Sequence, residues 1–233
     1  MTAPPALEVV NLRFRYPGST EDVVHVSSLR VDAAEAVLLT GASGSGKSTL
    51  LQLIAGLMDP AAGTIRVAGR EVHALGGAKR DLFRGSSIGM VFQTFNLLQG
   101  FSAAENVMAA LMFSEVPKRE HRGRAVELLK TVGIETPDRE VTRLSIGQQQ
   151  RVAVARAAAT SPAIVLADEP TASLDPDSGD AAMDLIQSTC ASIGAALVCT
   201  SHDPAMRSRF QRVESLDRLS APSQQQPTEP AGA

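Results

Sequence analysis

The stretch GASGSGKS, residues 41–48, matches the pattern G-x-x-x-x-G-K-[ST] in full. It follows the apolar run AVLLT and opens the helix-like run KSTLLQLIAGLM, the setting in which that pattern makes a phosphate loop. Gly41, Gly44 and Gly46 let the backbone wrap closely around phosphates. Lys47 is expected to reach the outer phosphates, Ser48 to place its hydroxyl on Mg²⁺, and Thr49 to support the inner phosphate. Ala42, Ser43 and Ser45 complete the loop and count with it as nucleotide-binding residues.

A second chemical signal stands at IVLADEP, residues 164–170. An apolar strand that ends in Asp168 suits the shell of a Mg²⁺ ion, and Glu169 follows where it could face a terminal phosphate and an attacking water. Alone, such a pair is an ordinary acidic strand end; beside a full phosphate loop it gains weight.

A third signal is LSIGQQQR, residues 144–151. Ser145 sits where an N-cap belongs and Gln148 follows three places on, as in a capping box. A helix start offers free N–H groups and a positive dipole end, which also suits phosphate. One chain therefore carries two phosphate-like sites, about a hundred residues apart along the sequence.

These residues need elements to place them. LEVVNLRFRY partly alternates, as a half-buried strand does, and the TIRVAG run at 64–69 is another strand; with no long helices beside them, they fit an antiparallel wing. The runs at 36–41, 88–93, 163–168 and 194–201 are short and continuously apolar, as expected of strands buried on both faces. In the helix after the phosphate loop, Leu50, Leu53, Ile54 and Leu57 recur at helical spacing. A helical region covers roughly 102–160, with Ser102 and Glu105 as a capping box, Pro117 opening a further helix and Gly133 ending it. Another helix is expected around 178–193. Strands alternating with helices argue for an α/β fold with a mostly parallel sheet. The insert at about 94–162 reads as a helical subdomain of a domain spanning 1–219, and the Pro/Gln/Ser-rich stretch 220–233 as a disordered tail.

Composition narrows the classes. The chain has 233 residues, of which 44% are hydrophobic, enough for a large core. Its net charge of -3 gives no global electrostatic case for nucleic acid. Cys190 and Cys199 fall in apolar runs and read as buried, reduced thiols, with no Cys/His cluster for a metal. The start MTAPPALEVV lacks the pattern of a signal peptide, and no apolar run approaches the roughly 18–20 residues of a membrane span.

In order along the chain stand GASGSGKST, Gln93 in VFQ, LSIGQQQR, IVLADE, SLD at 173–175 and His202 in TSHD. With these motifs the chain, over about residues 7–217, resembles the nucleotide-binding subunits of ATP-binding cassette (ABC) transporters. The resemblance implies a RecA-like P-loop NTPase core that binds and hydrolyses ATP with Mg²⁺. It implies that Tyr16 stacks on adenine, that Gln93 contacts Mg²⁺ or the attacking water, that Glu169 is the general base and that His202 contacts the γ-phosphate. Asp175 would lie at a subunit boundary. In this family two subunits meet head to tail around two ATP molecules, so Ser145, Gly147 and Gln148 would serve the neighbour's nucleotide. A homodimer is expected, joined to separate integral membrane permease subunits at the cytoplasmic face of the cell membrane. Phe95, Leu97, Leu98 and Phe101 are candidates for the groove that receives those subunits; each could equally pack the subdomain.

The family's usual turn is Leu-Ser-Gly-Gly-Gln, and Ile146 stands here in place of its first Gly. The segment 92–107, the LADEPTASLD run and the short C-terminus resemble the lipoprotein-releasing, macrolide-export and cell-division ATPases. Other readings are a soluble DNA-repair or chromosome ATPase, which would need long heptad runs that the sequence lacks, a small-molecule phosphotransferase, and a non-transporting regulator of envelope enzymes.

Overall fold

The computed structural model describes residues 4–219; the expected tail at 220–233 lies outside them. Two sheets share one core. The first is antiparallel, in the order β2-β1-β4-β5, from β1 (Leu7–Phe14), β2 (Val24–Val31), β4 (Ala62–Val67) and the short β5 (Arg70–Glu71). The expected wing strands are β1 and β4, and they pair directly, with Val9 opposite Ile65. Their hydrophobic residues alternate inward: Leu7, Val9 and Leu12 are fully buried while Val10 is exposed.

The second sheet is wholly parallel, in the order β6-β7-β8-β3-β9, from β3 (Ala36–Thr40), β6 (Ile88–Val91), β7 (Ile164–Asp168), β8 (Ala196–Thr200) and β9 (Arg212–Ser215). Its central strands are covered on both faces, which is why they read as unbroken apolar runs. On one face Ile164, Leu166, Val37 and Leu39 pack against the wing and against α1 (Lys47–Ile54). On the other, Val165, Ala167, Leu38 and Leu197 pack with Met183 and Ile186 of α6 (Pro176–Ile193).

Between β6 and β7 lies the helical insert: α3 (Ala103–Leu111), α4 (His121–Thr131) and α5 (Ile146–Ala158). Val107, Leu129 and Val152 centre its own small core. One face of α5 serves that core through Val152 and Ala155, while Val154 and Ala157 reach the α6 side of the sheet. The signature-like turn is thus fixed by a helix anchored in two cores.

The structure differs from the sequence reading in detail. Helix α1 ends at Ile54, so Leu57 falls past its end and is 50% exposed. Strands β2 and β9, helix α2 (Gly77–Ser87) and the terminal helix α7 (Leu216–Leu219) carry weak local patterns and were not expected. Both expected capping boxes form: Ser102 with Glu105, and Ser145 with Gln148.

Candidate nucleotide site

The candidate residues gather at the C-terminal ends of the parallel strands, where open α/β sheets leave a crevice. From β3 the chain turns into the loop 41–46 and enters α1. Gly46 caps that helix with φ 92°, and a Cβ there would lie 2.6 Å from the Val23 carbonyl oxygen, so only glycine fits. The first N–H groups of α1 are left for a phosphate. Lys47 is 6% exposed; its Nζ donates to the carbonyls of Gly41 (2.9 Å) and Ala42 (3.0 Å) and lies 4.0 Å from Glu169 Oε1. The Ser45 hydroxyl is turned inward and buried without a hydrogen-bond partner among the described residues.

Strand β7 delivers the acids. One oxygen of Asp168 accepts from Ser48 Oγ (2.9 Å) and from Thr200 Oγ1 (2.8 Å). The same Thr200 hydroxyl accepts from the Glu169 N–H at 3.1 Å. Glu169 has φ 46°, a left-handed conformation that costs a non-glycine residue about 1–3 kcal/mol. Its surroundings hold it there: its N–H is bonded to Thr200, and its Oε2 faces His202 Nδ1 at 2.9 Å.

Tyr16 follows β1, packs edge-on against Phe14 at 5.0 Å and meets Thr49 Oγ1 through its hydroxyl at 3.0 Å. This side chain packs on the wing and also lines the cleft. That cleft has a volume of about 520 Å³ and is lined by Tyr16, Val23, Ser43, Gly44, Gly46, Lys47, Ser48, Thr49, Gln93, Glu169, Ala172 and His202. Gly41, Ala42, Ser45 and Asp168 stand behind this lining and shape it. Ser145, Gly147 and Gln148 lie outside it.

No group of three or more His, Cys, Asp or Glu side chains among the described residues could hold a metal by itself. The donors present are the Ser48 hydroxyl, the Asp168 carboxylate and the Gln93 amide, all hard oxygens. Such a set, with its one carboxylate, fits Mg²⁺, which is bound through one or two carboxylates together with substrate phosphates and waters.

At the start of α5, Ser145 Oγ accepts from Gln148 N (3.3 Å) and Gln148 Oε1 accepts from Ser145 N (3.0 Å). Ile146 beside them is 60% exposed, and a Cβ on Gly147 would meet no atom within 4 Å. Gln150 Nε2 donates to the Pro170 carbonyl at 3.3 Å, joining this helix to the segment after Glu169. Further along α5, Arg156 donates to the carbonyls of Asn96 (2.6 Å) and Phe95 (2.7 Å), two left-handed residues just past Gln93. Burial holds the Arg156 pKa below the ordinary guanidinium value.

Thr200, Val23, Ala172 and Arg156 escaped the sequence reading. A hydroxyl at the end of the apolar run ALVCT is the only local sign of Thr200. The candidate docking residues do not line the apolar groove that the structure shows. An apolar groove of about 400 Å³ is lined by Leu57, Ile88, Met90, Phe92, Phe113 and Arg156 among others, and by none of Phe95, Leu97, Leu98 and Phe101. Phe95 is buried, while Leu98 and Phe101 are exposed outside this groove.

Comparison with known proteins decides the family. Residues 24–172 match the model of the ABC transporter family. The chain belongs to the ABC transporter family. It is an ATP-binding subunit and an ATPase of that family. The ATP-binding protein LolD of the lipoprotein-releasing system of Chromohalobacter salexigens is 39% identical over 206 residues, covering 87% of each chain. The macrolide export ATP-binding/permease protein MacB of Salmonella typhimurium is 36% identical over 89% of this chain and 32% of its own length. Among solved structures, the ATP-binding cassette MJ0796, a dimer in a post-hydrolysis state bound to ADP and Pi, superposes with a TM-score of 0.78 at 34% identity, covering 90% of this chain and 93% of the other. No helix among the described residues is long and apolar enough to cross a membrane.

Proposed function

We propose that the cleft holds one Mg·ATP and that two copies of this chain close head to tail over two nucleotides. The observation that carries the reading is the convergence of Tyr16, the phosphate loop, Gln93, Glu169 and His202 on one cleft, with Ser145 and Gly147 exposed and Gln148 half-buried outside it. An unused phosphate-type turn suits a neighbour's nucleotide.

In this reading Tyr16 stacks on adenine, as an aromatic face does. The N–H groups of 43–49 and Lys47 grip the phosphates, and Lys47 exchanges its bonds to Gly41 and Ala42 for phosphate oxygens. Ser48, Asp168 and Gln93 would hold Mg²⁺, which would neutralise charge on the phosphate oxygens. Glu169 accepts the proton of the attacking water, and His202 places its ring between that carboxylate and the γ-phosphate. The partner's signature turn excludes water and strengthens these electrostatic contacts.

The membrane partners are separate permease subunits, seated in the apolar groove at Leu57, Phe92 and Phe113, with this chain peripheral on the cytoplasmic face. The ABC domain is taken as 1–219, with 94–162 as its helical subdomain. Titrating ATP into the Glu169→Gln variant and following molecular mass tests the pairing; a variant that stays monomeric at saturating ATP counts against it.

A further inference from the structure

His202 and Asp175 stand on separate loops, one after β8 and one before α6. The chain beyond His202 enters a short 3-10 segment, Pro204–Arg209, capped by the Asp203 carboxylate, which accepts from Ala205 N at 2.9 Å. Arg209 ends that segment. Its Nη1 donates to Asp180 Oδ1 at 2.8 Å, and its Nη2 donates to the Asp180 carbonyl and to the Asp184 carboxylate. In return Gln187 Nε2 donates to the Arg209 carbonyl at 2.9 Å. Asp180, Asp184 and Gln187 are spaced i, i+4 and i+7, so they form one face of α6. Next to that face, Met206 and Phe210 pack on Met183, Ile186 and Cys190. The same helix begins at Asp175, whose carboxylate accepts from Ser178 N at 3.0 Å. Ser178 holds the Asp175 carboxyl below the usual carboxylate range. One helix is thus fastened to Asp175 at its start and to the His202 segment along its flank.

We propose that Arg209 is a positioning residue for ATP hydrolysis. Its fork on Asp180 and Asp184 makes the His202 segment and the Asp175-capped helix move as one body. Contact of a second subunit at Asp175 then sets how His202 meets Glu169. This rests on the roles proposed above for Glu169 and His202 and on the subunit-boundary place that the family resemblance implies for Asp175. A planar guanidinium can hold two carboxylates at once, which an ammonium does with less directional control. The two carboxylates are 70% and 74% exposed, and exposed ion pairs add little to stability. Loss of the clamp should therefore show in turnover before it shows in folding.

The test uses the full chain, first in Arg209→Met, Arg209→Lys, Asp180→Asn with Asp184→Asn, and all three neutralising changes together. Arg209→Met should lower kcat by about fivefold to tenfold, since small misplacements of a reacting group are costly. KM for ATP should stay within about twofold, because the nucleotide contacts are untouched. Arg209→Lys should fall between, and the triple variant should be no worse than Arg209→Met, as members of one unit are not additive. Exchanging the charges, Arg209→Asp with Asp184→Arg, should recover part of the kcat lost by Arg209→Asp alone. Wild-type kcat in Arg209→Met overturns the proposal, as does a triple variant whose loss is the product of the separate losses. If Arg209→Met does not fold, the exposed Asp180→Asn, Asp184→Asn pair decides in the same way. Glu169→Gln is run beside them. A stalled Glu169→Gln with a normal Arg209→Met removes the clamp alone; a fully active Glu169→Gln removes the site assignment and the clamp with it.

Discussion

Glu169 and His202 face each other across the cleft, with His202 Nδ1 2.9 Å from Glu169 Oε2 and Lys47 Nζ 4.0 Å from the other carboxylate oxygen. Three strands, β3, β7 and β8, each supply one of these residues or the loop that carries it. The carboxylate is thereby held between two nitrogen groups on the side where a terminal phosphate would enter.

Glu169→Gln keeps the shape and removes the base. Turnover should drop by about 10²–10⁴-fold, the range of general-base contributions. ATP should then accumulate a stable dimer, read by size-exclusion chromatography and single-turnover hydrolysis. Wild-type turnover in this variant would take Glu169 out of the role.

Ser145→Arg places bulk and charge at the exposed start of α5, outside the chain's own cleft. Steady-state hydrolysis should vanish, while the affinity of the monomer for a fluorescent ATP analogue stays within about twofold. Loss of monomer binding would place the turn in its own subunit's site.

Thr200→Val deletes a hydroxyl that donates to Asp168 and accepts from Glu169 N. Asp168 keeps the Ser48 hydroxyl and the Glu169 N–H keeps the Thr200 carbonyl, so the loss is that of ordinary hydrogen bonds, about 0.5–1.5 kcal/mol. Urea unfolding should register that loss, and hydrolysis should slow because the strained Glu169 backbone loses a support. Unchanged stability and rate would show that the Thr200 hydroxyl is dispensable.

Ile146→Gly restores the family's usual turn at a position that is 60% exposed. The substitution costs helix propensity of a few tenths of a kcal/mol, about 0.3–0.5, too little to matter for folding. A change in ATPase rate would therefore report on the contact with the partner. An unchanged rate would mark Ile146 as neutral.

Burial raises the Cys190 thiol from 9.0 to about 12, and it raises Cys199 as well. A thiol whose folded value is raised keeps its full contribution below the unfolded value and loses it as pH climbs toward the folded one. Stability should fall from about pH 9 upward, by at most about 1.4 kcal/mol per pH unit for each thiol. Denaturant unfolding at pH 8, 9 and 10 (approximate settings, about one unit apart) checks this, with Cys190→Ala expected to flatten the slope. A wild-type profile already flat over that span would contradict it.

The sequence by itself determined the chemistry and its local frames. A phosphate loop between an apolar strand and a helix, an acidic strand end and a capped turn are set by residues within a few positions of each other. The central strands were legible for the same reason: both faces are buried, so every position is apolar. Strands β2 and β9 were not legible, because VHVSSLRV is interrupted by two serines and RVES is four residues with two charges, and both owe their pairing to distant partners such as Val31 with Leu7 and Val213 with Leu38. Only the tertiary structure decided that Thr200 joins Asp168 to Glu169, that Arg156 grips the carbonyls after Gln93, and that Arg209 reaches Asp180 and Asp184. These contacts join residues up to 61 positions apart. Hydrogen bonds of that kind depend on where strand ends and helix flanks come to rest, which short-range periodicity does not encode. The apolar groove at Leu57, Phe92 and Phe113 was not legible for the same physical reason: it is formed by side chains from separate elements, and their exposure is fixed only when those elements pack.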